Sequence, residues 1–364
     1  MFNNQWNVWR QWRKFQEDRH RIALNRSRRI VPDRMNPFTA MSDTEFVTRF
    51  RLRKESVNAI IQEIQVQLPD SADRRGCRVP PHLQVLLTMA AMASGSHQME
   101  VADSYDVSQQ LISIVLARVS RALAGLSREY VKFPSPNALT TVIEDFHGIA
   151  GMPGVIGCID CTHIRIARPP REDSEVFRCR KGFFAINTQA VCGPDLSFYN
   201  IVVRWPGSVH DAQIFEDSRV CNDLRDGLLP GHLLGDSGYG CRSYLLTPLV
   251  APNSVHEERY NASHARTRNT IERAFGVLKL RFSYLRNVIR TDLETTKAVI
   301  VAAVVLHNIA VQTRIDMSDE IRDVNVDLQD VQINGIAKID DAEPADDEVL
   351  LGCLKRDRII RTHF

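Results

Sequence analysis

From residue 42 to about 126 the apolar positions recur at helical intervals. Phe46, Phe50, Leu52, Val57, Ile60, Ile61 and Ile64 form one such series, as expected for helices that bury one side. Ser42 and Glu45 stand at capping-box spacing before it. Pro69-Asp70 breaks the pattern, and a polar, basic loop (71–78) follows. The spacing then predicts an apolar helix over His82–Ser94, stopped by Gly95, and a short helix over Met99–Tyr105. Asp106-Val107-Ser108 reads as a turn with Ser108 as N-cap, opening a helix over Gln109–Leu123 whose apolar side is Leu111, Ile112, Val115, Leu116 and Val119. Short helix, tight turn and longer helix is helix-turn-helix spacing. Gln109, Gln110 and Ser113 fall near the exposed start of the last helix, where base-reading side chains sit in such motifs. A helix pair that exists only for packing produces the same pattern.

Proline and glycine then punctuate the chain at 134–137 and 148–154, with a helix expected over Leu139–Ile149 between them. At Val155 the period changes. Val155–Ile166 is a long β-branched run; Ala185–Val191 and Leu196–Arg204 are two more strands joined by the turn Cys192-Gly193-Pro194-Asp195. A helix starts in Ser208–Asp217, a fourth strand occupies His232–Gly235, and helical spacing returns over Thr270–Leu285 and Leu293–Ala310. Three strands, a helix, a parallel strand and further helices make an α/β domain. The expected organisation is an N-terminal arm (1–40), an all-helical, helix-turn-helix-like domain (41–150), an α/β catalytic domain (151–312) and an acidic, partly disordered C-terminal tail (313–364).

Composition changes this picture little. A chain of 364 residues with 44% hydrophobic residues can build a sizeable core. The formal net charge is only +2, but it is unevenly spread. Residues 1–36 carry nine Arg/Lys against three Asp/Glu, with Trp6, Trp9, Trp12 and Phe15 at helical spacing among them. Residues 316–348 carry twelve acids against two bases. These ends read either as solvated segments or as surfaces for polyanions and partners. Met1 is followed by Phe and polar residues rather than a leader-like apolar run, and Ala298–Leu306 is too short to cross a bilayer, which takes about 20 residues. A soluble intracellular protein with no membrane association is expected. The eight cysteines form no paired framework. Cys158 and Cys161 lack a second pair at zinc-site spacing and read as strand thiols.

Four acids stand at or near the ends of regular elements. Asp160 lies inside the first strand, Asp211 opens the following helix, Asp236 follows the fourth strand, and Glu272 lies on a late helix. Asp211 could simply cap its helix. Asp160 is harder to dismiss, because a carboxylate within a buried strand is costly without a neutralising partner. A metal ion or a basic side chain would serve. Clustered carboxylates suit Mg²⁺ or Mn²⁺, and two such ions about 4 Å apart can activate water and neutralise a leaving oxygen in phosphodiester cleavage.

Thirty-five residues separate Asp236 from Glu272. That interval and a set of ordered phrases resemble the PIF/Harbinger branch of the DDE transposases. The phrases include Gly-Met-Pro-Gly-Val-Ile-Gly-Cys-Ile-Asp-Cys-Thr-His (151–163), Trp-Pro-Gly-Ser-Val-His-Asp (205–211), Leu-Leu-Gly-Asp-Ser-Gly-Tyr (233–239), Ile-Glu-Arg-Ala-Phe-Gly-Val-Leu-Lys (271–279) and Leu-His-Asn-Ile (306–309). The resemblance implies an RNase H-like mixed sheet and a Mg²⁺- or Mn²⁺-dependent DNA endonuclease. It implies Asp160, Asp236 and Glu272 as the catalytic triad, and all four acids as metal ligands with Asp211 assisting. It further implies DNA as substrate, a Myb-like DNA-binding partner, and residence in nucleus and cytoplasm; it leaves the oligomeric state open, a homodimer included. Arg268 and Lys279 share one helix side with Glu272 and, with Arg180 and Lys181, are candidates to hold phosphates, or else ordinary solvated surface. A domesticated relative acting as a DNA- or chromatin-associated interaction protein is the alternative.

Overall fold

The computed structural model describes residues 36–69, 71–72, 78–170, 172–315 and 347–364. The aromatic-basic segment at the N-terminus and most of the acidic stretch (316–346) lie outside the described residues. The chain divides into two compact units, Met1–Ala122 and Leu123–Phe364.

In the first unit the helices are α1 (Pro37–Ala40), α2 (Asp43–Phe50), α3 (Lys54–Ile64), α4 (Pro81–Ser94), α5 (Gln98–Ser104) and most of α6 (Gln109–Gly125). Their starts and stops follow local chemistry. The Ser42 N–H donates to Glu45 Oε2 at 2.8 Å and Ser42 Oγ accepts from Glu45 N at 3.3 Å, closing the capping box. Gly95, with φ of 64°, ends α4 in the left-handed conformation that glycine adopts most easily. Ser108 Oγ accepts from Leu111 N at 3.2 Å and caps α6. Gln109, Gln110 and Ser113 are exposed on the first turns of α6.

The second unit holds α7 (Ser127–Tyr130), α8 (Pro136–Ala150) and a five-stranded mixed sheet. The strands are β1 (Val155–Arg165), β2 (Ala185–Cys192), β3 (Phe198–Pro206), β4 (His232–Leu234) and β5 (Leu245–Leu246), in spatial order β3-β2-β1-β4-β5. β1 pairs antiparallel with β2, which pairs antiparallel with β3; β4 and β5 add parallel to β1. Helices α9 (Asp211–Glu216) and α10 (Arg219–Arg225) follow β3. One core layer joins them to the sheet through Ile156, Ile159, Val191, Phe215, Val220 and Leu233. Gly157 lets this layer close, because a Cβ there would sit 2.6 Å from Val191 Cγ1. On the other side lie α11 (Val255–Arg281) and α12 (Leu293–Gln312). α12 is long and apolar enough, by length and composition, to cross a membrane, but most of it is buried within the protein as a core helix.

Three sequence expectations need correcting. The helix expected over Thr270–Leu285 starts at Val255. Its first half buries polar residues rather than an apolar stripe: Tyr260 donates to Thr247 O at 3.1 Å, Asn261 to Leu249 O at 2.8 Å and Ser263 to Ala150 O at 2.6 Å. A fifth strand, β5, lies beside β4, too short at two residues to show a period. The tail beyond residue 313 is not tail to its end: Asp347–His363 forms helix α13, docked along β5. There Glu348 accepts from Tyr244 Oη at 2.9 Å and from Arg225 Nε at 3.0 Å, and Lys355 Nζ donates to Ser243 O at 2.6 Å. These polar contacts and the burial of Gly352, Ile359 and Ile360 hold α13, and it covers an edge strand that would otherwise offer open backbone groups.

Candidate active site

Strand β1 shows two chemically different faces. Cys158, Asp160 and Thr162 meet α11: Cys158 Sγ contacts Thr267 O at 3.3 Å, Asp160 pairs with Arg268, and Lys279 Nζ donates to Thr162 Oγ1 at 2.6 Å. Cys161 and His163 point the other way. The Cys161 thiol lies 3.6 Å from Tyr239 Oη, and His163 Nε2 lies 3.0 Å from Gly207 O, a contact that ties down the loop before α9. Alternation along a strand demands this separation.

Arg268 is the centre of the acidic face. Nη1 donates to Asp160 Oδ2 at 2.9 Å and Nη2 to Glu272 Oε1 at 2.6 Å. One guanidinium thus joins a mid-strand acid to a helix acid, and its spacing from Glu272 (i, i+4) places both on one side of α11. The buried-carboxylate problem posed by Asp160 is met here by a basic side chain. Arg268, expected as a phosphate holder, has one guanidinium nitrogen committed to each of these carboxylates. Burial works against its charge, but Asp160, Glu272 and Asp236 outweigh burial and hold the pKa above the ordinary value.

Burial pushes the Asp160 carboxyl up. Arg268 opposes that rise, Asp236 adds to it, the Cys161 N–H opposes it and Asp211 adds again; the result is about 7. The Cys161 N–H bond to Asp160 Oδ1 is 2.7 Å long. Asp236 follows β4 and accepts from Gly238 N at 2.9 Å. Its carboxyl is also pushed up, by burial first and then Asp211, against Gly238, Arg268 and Arg180. Asp211 opens α9, and Asn187 Nδ2 donates to its Oδ1 at 2.8 Å while Gln189 Nε2 donates to its backbone carbonyl at 3.1 Å. Those amides come from β2 opposite His163 and Cys161, so Asp211 is anchored from the second face, yet its charge reaches Asp160.

Basic groups border this cluster. Exposed Arg180 acts on Asp236, and exposed Lys181 acts on Lys279. Burial, with Lys181 and Arg165 adding, brings Lys279 down to about 8. Gln109, Gln110 and Ser113 belong to the other unit.

Among the described residues, no three His, Cys, Asp or Glu side chains converge tightly enough to hold a metal ion unaided. The donor chemistry nevertheless fits a hard divalent cation: the acids supply only oxygen, and Asp211 Oδ2, Asp236 Oδ2 and Glu272 Oε2 accept no hydrogen bond among the described residues. The sequence reading missed Asn187, Gln189 and Tyr239. Their signal was present in Asn187-Thr188-Gln189, three buried polar residues inside an otherwise apolar strand, since buried polar groups need partners.

Residues 159–308 match the family model described as DDE superfamily endonuclease. The chain is 33% identical over 249 residues to the human protein named "Putative nuclease HARBI1", covering 67% of this chain and 71% of that protein. The Xenopus laevis protein of that name is 26% identical over 329 residues, covering 89% of this chain and 91% of the relative. The Arabidopsis thaliana protein named Antagonist of Like Heterochromatin Protein 1 is 26% identical over 290 residues, 74% of this chain and 73% of the relative. No solved structure matches the chain.

Proposed function

The chain belongs to the Harbinger transposase-derived nuclease family of DDE superfamily endonucleases, and from that premise we propose that it is a divalent-metal-dependent DNA endonuclease working at Asp160, Asp236 and Glu272, with Asp211 assisting. One observation carries the reading: Arg268 bridges Asp160 and Glu272, so the fold brings a mid-strand acid and a late-helix acid to a single cation. The strand order β3-β2-β1-β4-β5 supports an RNase H-like catalytic domain.

Asp160, Asp236 and Glu272 would hold Mg²⁺ or Mn²⁺, with Asp211 as a further oxygen donor. Bound there, the metal supplies the positive charge that activates water and neutralises the leaving oxygen. Arg268 keeps Asp160 and Glu272 neutralised before loading, at the cost of competing for their oxygens. Lys279, Arg180 and Lys181 place positive charge beside the acids, where a phosphate backbone would be oriented. Asn187 and Gln189 fix Asp211 by its side chain and its backbone.

The test is nicking and cleavage of supercoiled and linear DNA with Mg²⁺ or Mn²⁺, comparing wild type with Asp160→Asn and Glu272→Gln. Loss in both variants, with circular dichroism and melting unchanged, supports the nuclease. An inactive wild type with either metal rejects it as an autonomous enzyme.

A second reading is favoured by the relative named for antagonism of a heterochromatin protein. In it the chain is a domesticated chromatin-associated interaction protein, recruited through a Myb-like DNA-binding partner and resident in the nucleus as well as the cytoplasm. Chromatin association that survives Asp160→Asn but fails on removal of residues 1–35 or 316–346 would favour this role.

A further inference from the structure

His232 opens β4, at the end of that strand away from Asp236. There α13 and the segments leading into β1 and β4 enclose a cavity of about 500 Å³, within the size range of small-ligand sites. The lining is basic and includes no carboxylate. Helix α13 contributes Lys355, Arg358 and His363 beside Ile359 and Thr362, and the rest of the wall includes Gly154, Gly231 and His232.

Two features of this lining are unmet in the protein itself. His232 is 2% exposed, and its Nε2 has no hydrogen-bond partner among the described residues. Burial, with Lys355 and His264 adding, keeps the imidazole neutral, so it offers one N–H or one lone pair rather than a charge. Lys355 is itself partly buried and has its pKa lowered by burial and by the neighbouring Arg358. Neither Lys355 nor Arg358 forms an ion pair among the described residues. Lys355 Nζ donates to Ser243 O, which leaves its remaining protons for another acceptor. Two like charges therefore border one space, and the His232 ring that also lines it has its Nε2 closed off from solvent. Gly154 and Gly231, with φ of 69° and 119°, let the wall pack closely; a Cβ on Gly154 would reach within 3.2 Å of His232 Cε1, and one on Gly231 within 2.5 Å of Ile156 Cγ2.

We infer that this cavity binds a phosphate group, with Lys355 and Arg358 supplying charge and hydrogen bonds. A cation is repelled by the lining. An apolar ligand would leave the two bases unscreened. A phosphate presents several strong acceptor oxygens to these donors and relieves the repulsion between the bases. The phosphate could be carried by a small phosphorylated molecule or by a DNA backbone, and the experiment separates them. The proposal does not depend on the nuclease reading, because none of these residues belongs to the carboxylate cluster.

Full-length protein in phosphate-free buffer is titrated calorimetrically with inorganic phosphate, against chloride at matched ionic strength. Saturable phosphate binding is expected, weakened about tenfold or more in Arg358→Gln, an exposed position where folding is not at risk. Lys355→Gln, with its melting curve as a folding control, should weaken it similarly. Heat no different from chloride, or equal affinity in wild type and Arg358→Gln, overturns the site. A second arm measures a short duplex by fluorescence anisotropy. Weakened DNA binding in Arg358→Gln, with phosphate competing in wild type, identifies a backbone phosphate. Unchanged DNA binding beside lost phosphate binding identifies a small phosphorylated ligand.

Discussion

Helix α11 carries two arginines thirteen residues apart that end in opposite surroundings. Arg281 is 2% exposed and donates to His307 Nδ1 at 3.0 Å and to His307 O at 3.4 Å. The imidazole passes the order on, its Nε2 lying 2.9 Å from Leu196 O in the β2–β3 turn. Next to it Asn308 accepts from Phe198 N at 2.8 Å and donates to Phe198 O at 2.7 Å and Tyr130 O at 2.8 Å. Arg268 instead retains 22% side-chain exposure and meets two carboxylates. Both places are built from phrases that resemble the same family, Leu-His-Asn-Ile in one and Ile-Glu-Arg in the other. In the first, a neutral imidazole and an amide fasten a turn to the core. In the second, acids keep open lone pairs and reach solvent. Unmet bonding capacity, more than the residue types, separates chemistry from scaffold.

That contrast can be broken in four ways. The largest effect is expected from Asp160→Asn: metal-dependent DNA cleavage should fall on the order of 10³-fold with the urea midpoint no lower than wild type. Cleavage retained within tenfold would remove Asp160 from the reaction. On the scaffold side, Asn308→Ala strands the buried Phe198 N–H and carbonyl and should cost about 3 kcal/mol of stability. Activity per folded molecule, measured below the melting transition, should stay near wild type.

Arg268→Gln tests the boundary between the two. Without metal it leaves Asp160 and Glu272 unpaired and should destabilise by about 2 kcal/mol, less than for a fully buried pair because the site is partly exposed. Added Mn²⁺ should then raise the melting temperature of Arg268→Gln more than that of wild type. An equal or smaller rise would show that Arg268 does not compete for the metal oxygens.

The smallest effect is in pH, and its sign differs between the regions. Asp160 is raised from 3.8 to about 7 by burial, so the folded chain holds that proton more tightly than the unfolded chain. Its stabilising share is complete below pH 3.8 and is lost as pH rises through about 7. His307 is lowered from 6.5 to about 3 by burial, with Arg281 adding and the Leu196 hydrogen bond opposing. Its share is complete above pH 6.5 and is lost as pH falls towards 3. Between about pH 3.8 and 6.5 the two shares change in opposite directions, each by up to about 1.4 kcal/mol per pH unit, and largely cancel in wild type denatured in chelator. Asp160→Asn should therefore unmask a rise of stability with pH across that range, and His307→Gln a fall. A slope unmoved by its own variant would dissociate that residue from it.

Much of the second unit is legible in the sequence alone. β1 and β2 announced themselves as β-branched and apolar runs, and the four acids stood out because carboxylates are conspicuous beside such runs. The first half of α11 and all of α13 were not legible. The first half of α11 buries Tyr260, Ser263, His264 and Thr267, and α13 buries only Gly352, Ile359 and Ile360, so neither shows a hydrophobic period. The charges of residues 316–348 read as one solvated stretch, yet Glu348 accepts from Tyr244 and pairs with Arg225.

Sequence by itself determined the strand-rich turn of the chain at Val155, the capping chemistry of Ser42 and Ser108, and, through ordered phrases, the family. These depend on neighbours a few residues apart or on residue identity alone. The tertiary structure alone decided that Arg268 neutralises Asp160, that Asn187 and Gln189 hold Asp211, and that α13 brings two bases to His232. Each joins residues far apart in the chain, and how strongly each charge is felt depends on burial, which no local pattern encodes.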